Sequence, residues 1–188
     1  MKKLLIGLFV LVLLAALAGA GALYYVKPDQ ALDLAYEEVP LERRAIDMAR
    51  RMSLELVLTA EDLSNLAKKS IADNPEVEKD VVVTGAEFAL EGDRLIADLN
   101  ILWKDWVSAS VQVTYRLRWE DPNLIASVLE AKMKDVPLPE AMLSSQVIPI
   151  AQELPKPLKI ESIKWEQGGV QVTFRKPSLS DLQQLIGQ

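Results

Sequence analysis

Thirteen residues near the middle of the chain, Val107 to Trp119, alternate without a break. Val107, Ala109, Val111, Val113, Tyr115, Leu117 and Trp119 take one phase; Ser108, Ser110, Gln112, Thr114, Arg116 and Arg118 take the other. A helix repeats its side chains about every 3.6 residues, so a strict period of two over this length can only be a strand. At about 3.3 Å per residue it reaches some 40 Å, about twice a usual strand. A strand that long with one apolar face needs long neighbours and a cover for that face.

The flanking sequence supplies such neighbours. Val81 to Leu90 reads as a strand with Val82, Ala86, Phe88 and Leu90 opposite Glu87. Glu91-Gly92-Asp93 is a hairpin turn. Arg94 to Trp103 places Leu95, Ala97, Leu99, Ile101 and Trp103 on one side and Arg94, Asp98 and Asn100 on the other. After a turn at Asp121-Pro122-Asn123, Leu124 to Val136 reads as a fourth strand, with Leu129, Ala131 and Met133 opposite Glu130, Lys132 and Lys134.

Helices are sparser. Asp29 to Glu38 and Leu41 to Met52 have helical patterns separated by Pro40. Ser53 to Leu58 alternates as a short strand. Thr59 then caps a helix running to about Ala72, with Asp62 at the position where a capping box prefers Glu. Pro137-Leu138-Pro139 introduces a second helix whose stripe is Met142, Leu143, Val147, Ile150, Ala151 and Leu154, with Pro149 as a kink. A last hairpin joins Leu158–Glu166 to Val170–Arg175 through Gly168-Gly169. Its apolar residues change phase between Ile160 and Ile163, which predicts a bulge near Ser162. A short tail helix from Leu179 to Ile186 follows Ser178. The order is that of an α+β domain with an antiparallel sheet.

The first 26 residues stand apart. Lys2 and Lys3 precede 23 residues without a charge, Leu4 to Val26, and Tyr24 and Tyr25 close the run. At 1.5 Å per residue the segment reaches roughly 34 Å, enough for a hydrocarbon core of about 30 Å. It reads as a membrane anchor (residues 1–26), followed by a lead-in helical stalk (27–52) and the α+β domain (53–188). A cleaved signal peptide is the alternative, since Ala16-Leu17-Ala18 and Ala20-Gly21-Ala22 have small-x-small spacing. Either reading keeps the lysines in the cytoplasm and places the domain outside. The length of the run and its closing tyrosines favour the retained anchor, so single-pass attachment to the cell membrane is expected.

The 162 residues beyond Val26 carry 19 basic against 27 acidic side chains, a net charge of −8. That balance argues against nucleic acid, which rewards clustered Lys and Arg. The chain has no Cys and no His. Disulfides, thiolate nucleophiles and the commonest general base are thereby excluded. No phosphate-binding loop, nucleophile elbow or metal-ligand cluster is present, so no enzyme activity, cofactor or metal is expected. A carboxylate-only hydrolase would need two facing carboxyl groups, and no pair suggests itself.

Two stretches resemble a known group. "LELVLTAEDLSNLAKKSI" resembles the strand, cap and helix that open the YpmS-like family of membrane-anchored Gram-positive proteins. It is also similar to LmeA-like members of the tubular lipid-binding (TULIP-like) group. "VPLPEAMLSSQVIPIAQELPKPLKIESIKWEQGGVQVTF" resembles their later segment, and Asn65 matches an "LN" position in the opening helix. The resemblance implies a half-TULIP-like, strongly curved antiparallel sheet wrapped on one or two helices around a cleft for acyl chains. The inner stripes, Phe88, Leu99, Ile101, Trp103, Val111, Val113, Tyr115, Leu117 and Met133, would line it, with Met142 and Val147 facing them from the second helix. Membrane lipid is then the expected partner. A protein-interaction module of a cell-envelope assembly, with an envelope protein as partner, is the alternative.

Overall fold

The alternating segment pairs on both sides, and the sheet grows outward from it. The computed structural model describes residues 17, 19, 21–51, 53–139, 145–148, 159–166 and 168–176. The helices are α1 (Leu41–Arg50) and α2 (Ala60–Asp73). The strands are β1 (Glu55–Thr59), β2 (Glu76–Glu78), β3 (Val81–Glu91), β4 (Arg94–Trp103), β5 (Val107–Glu120), β6 (Asn123–Met133), β7 (Val136–Pro137), β8 (Gln146–Ile148), β9 (Ile160–Glu166) and β10 (Gly169–Phe174). Residues 21–26 are also helical. Among the described residues no helix is long and apolar enough to cross a membrane. Most of the apolar N-terminal run, residues 140–144 and 149–154 of the expected second helix, and the tail helix expected over Leu179–Ile186 lie outside them.

The large sheet is antiparallel, ordered β2-β3-β4-β5-β6-β7, with β8 added to β6. It curls into a half-barrel. β5 pairs with β4 from Val107 to Arg116 and with β6 from Gln112 to Glu120, so its whole length is hydrogen-bonded. Its apolar phase faces inward: Val107, Ala109, Val111, Val113 and Leu117 are all buried. β1, β10 and β9 form a separate three-stranded sheet with β10 in the middle. Phe174, Val170, Val172, Ile160 and Met48 of α1 make its core, and Leu90 and Trp119 of the large sheet reach into it.

Three bulges shift the phases read from sequence. Thr84 is an extra residue in β3, because Val83 faces Ile101 while Gly85 faces Asn100. Val83 therefore joins Ala86, Phe88 and Leu90 on the inner face, and Val82 does not. Leu129 is extra in β6 and half out in solvent, not part of the inner stripe. The predicted bulge near Ser162 is present, with Glu161 as the extra residue between Ser162 and Ile160.

Two helix expectations need correction. Asp29–Glu38 is not helical. The segment crosses the back of the sheet, where Asn100 Nδ2 donates to the Gln30 carbonyl at 2.7 Å and the Ala86 N–H to the Asp33 carbonyl at 3.0 Å. These long-range bonds replace the local ones a helix would make. The helix expected after Pro139 does not hold at Gln146–Ile148, which is the strand β8 paired with Leu124–Ala126 of β6. The unpaired edge of β6 beyond Leu124 takes up this short segment as a strand.

The crossing depends on Gly85. A Cβ there would overlap the Leu32 backbone carbonyl. Gly85→Ala should lower stability by about 1–3 kcal/mol, the usual range for overpacking. Thermal melts check the loss, and faster proteolysis within residues 29–38 would locate it.

α2 begins with a full capping box. The Asp62 N–H donates to Thr59 Oγ1 at 3.1 Å, and the Thr59 N–H donates to Asp62 Oδ2 at 2.9 Å. Arg44 of α1 adds two bonds to the same carboxylate, at 2.6 and 2.9 Å. One acidic side chain therefore both caps α2 and holds α1. The Arg44 guanidinium, chiefly, keeps the Asp62 carboxyl below its ordinary 3.8, with the Thr59 bonds assisting against burial. A carboxyl lowered by folding stabilises the fold above its unfolded pKa and ceases to do so as pH falls through the folded value. Asp62→Asn should cost about 1–3 kcal/mol at pH 7, discounted from a fully buried pair because Arg44 is partly exposed. The gap between wild-type and variant melting temperatures should narrow as pH drops below about 3.8.

Candidate functional site

The sheet has two distinct ends. One carries the β2–β3, β4–β5 and β6–β7 turns; the other carries the β3–β4 turn at Gly92-Asp93 and the β5–β6 turn at Asp121-Pro122. The three-stranded sheet sits at this second end, against Leu90 and Trp119. Residues 25–29 sit at the first. There Tyr25 Oη donates to Asp135 Oδ2 at 3.1 Å, and Lys134 Nζ donates to Asp29 Oδ1 at 2.8 Å. Along β5, from Val107 to Leu117, the two ends are about 33 Å apart at 3.3 Å per residue.

Six of the expected cleft residues come together. Val111 and Val113 pack with Ala131 as a buried cluster, and Leu99, Ile101, Tyr115 and Met133 close around it with Val128 and Leu138. Burial raises the Tyr115 phenol above its ordinary 10.0, as expected for a ring turned inward. Phe88 shares this inner face through its pairing with Ala97. The face is closely packed, with Val83, Ala86, Ala97 and Ala109 no more than 2% exposed.

The remaining residues fall elsewhere. Trp103 shares the inner phase but stands at the strand end, 44% exposed. Val147 pairs with Ile125, which pairs with Arg118, so it lies on the outer face and is 60% exposed. The short strand β8 turns it there, against the expectation that it faces the cleft from a helix. Met142 lies outside the described residues. Leu117 is buried at the far end of the band and contributes to the opening described next.

That opening is a cleft of about 370 Å³ between the two sheets. Leu117 and Trp119 of β5 and Ile163 and Trp165 of β9 give it an apolar floor; Ser162, Asp93, Arg116 and Arg118 stand around it. Its volume is at the lower end of the range of about 300–1,000 Å³ typical of small-ligand pockets, but it is an open groove and not an enclosed cavity. Its charges are already partnered. Arg116 Nε lies 3.5 Å from Asp93 Oδ2, and Arg118 Nε lies 3.0 Å from Glu120 Oε1. The floor therefore offers apolar contact and the rim offers polarity without a committed free charge.

Ile163 and Trp165 were absent from the sequence-based set. They belong to the terminal hairpin, which joins the site only because β10 pairs with β1, more than 100 residues earlier. The phase change between Ile160 and Ile163 was the one local sign that this hairpin presents a second apolar surface.

Among the described residues no group of three or more Asp or Glu could hold a metal ion. Comparison with protein-family models, curated proteins and solved structures returns no match. The resemblance to the YpmS-like group is thus carried by the sequence motifs alone.

Leu117 links the buried band to the cleft. Leu117→Ala should cost about 2–5 kcal/mol by cavity formation. Urea denaturation followed by fluorescence of Trp119 and Trp165 would measure it.

Proposed function

We propose that this chain is a membrane-anchored, extracytoplasmic domain that binds the acyl part of a lipid, or a ligand of similar apolarity, without transforming it. The observation that carries the reading is the cleft between the two sheets, with its floor of Leu117, Trp119, Ile163 and Trp165 and its ion-paired rim. Burying methylene groups there is worth about 0.8 kcal/mol each and confers little selectivity. The curled sheet accords with the half-TULIP-like architecture that the sequence motifs imply. The uncharged run from Leu4 to Val26 behind Lys2 and Lys3 supplies the anchor and its orientation.

The long strands modify one part of this reading. The cleft lies at the end of the sheet away from Tyr25, so a ligand bound there has left the bilayer. Holding a chain outside the membrane suits a domain that receives or presents lipid.

Native mass spectrometry of the full chain, released from detergent after exposure to phospholipid, tests the proposal. The wild type should retain one lipid, and Ser162→Trp, which fills the cleft from its lining without touching the Phe174 core, should lose it while keeping its circular dichroism spectrum. A wild type that retains no lipid, or a Ser162→Trp variant that retains as much, would count against the cleft.

A further inference from the structure

The end of the sheet nearest Tyr25 carries an exposed apolar rim. The β4–β5 hairpin projects there with Trp103 44% and Trp106 66% exposed. The turn between them is tight. Lys104 and Asp105 both adopt positive φ, at 52° and 63°, and the Trp106 N–H reaches the Trp103 carbonyl at 3.4 Å. Neither residue is glycine, which would take up this conformation at less cost. The Lys104 N–H also donates to the Asp80 carbonyl at 2.8 Å, which ties the hairpin to the β2–β3 turn. Lys104 Nζ sits 4.9 Å from the centre of the Trp103 ring. Val77 of β2 and Val136 of β7 add exposed apolar side chains at the same end.

The same end receives the chain as it leaves the uncharged N-terminal run. Tyr25 is bonded to Asp135 in the β6–β7 turn, and Tyr24 and Tyr25 are themselves exposed. Two tyrosines and two tryptophans thus stand at one end, while Trp119 and Trp165 pack in the core at the other. Indoles and phenols of this kind favour the boundary between hydrocarbon and headgroups. A Lys beside such a ring can lie along it and extend its ammonium toward the headgroups.

We infer that the β4–β5 hairpin tip, with Trp103 and Trp106, inserts into the headgroup boundary of the same bilayer that holds the N-terminal segment. The inference rests on the anchored reading above. It gives the domain a second, non-covalent attachment and fixes which end faces the lipid. Glu76, Glu78, Asp80 and Asp105 share this end with Lys79 and Lys104. Attraction by anionic lipid is therefore weak, and the contact depends on interfacial burial of the rings.

The test uses the full chain reconstituted into vesicles of phosphatidylcholine with brominated acyl chains, which quench tryptophan on contact. The wild type should float with the vesicles and have Trp103 and Trp106 quenched among its four tryptophans. Trp103→Phe with Trp106→Phe should also float but show a clearly smaller fractional quenching, since the rings that remain, Trp119 and Trp165, meet brominated chains only through a lipid held in the distal cleft. Adding phosphatidylglycerol should leave wild-type quenching unchanged. Flotation with equal fractional quenching in wild type and double variant would overturn the tip contact and leave the anchor intact. Failure of the wild type to float, or its extraction by alkaline carbonate, would overturn the anchored reading and this inference with it.

Discussion

An antiparallel sheet of long strands with one continuous apolar face has to hide that face, and the architecture follows from this requirement. β5 is bonded along its whole length, to β4 at one end and to β6 at the other, so its inner phase cannot slip without turning every apolar side chain outward. Curling brings the inner faces of β3, β4, β5 and β6 toward one another, and the small residues Ala86, Ala97, Ala109 and Ala131 let them approach closely. The same curl leaves the strand ends as the places where apolar surface is still accessible.

Those ends differ. At one, Leu117 and Trp119 meet the terminal hairpin and form a cleft whose charged neighbours are paired off. At the other, tight turns hold Trp103 and Trp106 away from the core, near the point where the N-terminal run reaches the domain. A long strand is a rigid spacer between the two, so the cleft and the exposed tryptophans are separated by roughly the strand's length. The Arg44–Asp62 pair acts elsewhere, joining the two helices that pack beside β1 and β3.

Much of the sheet was legible because its signal is local. The β5 alternation, the Gly92 turn and the Thr59 cap each depend on residues a few positions apart. The bulges at Thr84 and Leu129 were not legible, because an extra residue is defined only by the strand opposite it. For that reason the alternation points to Val82 on the face that Val83 occupies, and to Leu129 in a stripe it does not join. Residues 29–38 illustrate the same competition in another form. Their helical pattern yields to bonds with Asn100 and Ala86, which no window of sequence contains.

Of the candidate site, the sequence determined the apolar band. Leu99, Ile101, Val111, Val113, Tyr115 and Met133 pack in one cluster because a period of two fixes which side chains share a face. It also determined the uncharged N-terminal run, which is a matter of composition. Only the tertiary structure decided where the band opens. Ile163 and Trp165 reach Leu117 through the pairing of β10 with β1, and Val147 turns outward through its pairing with Ile125. Such contacts join residues distant in sequence, and their geometry is set by the closure of the sheet, not by any periodicity along the chain.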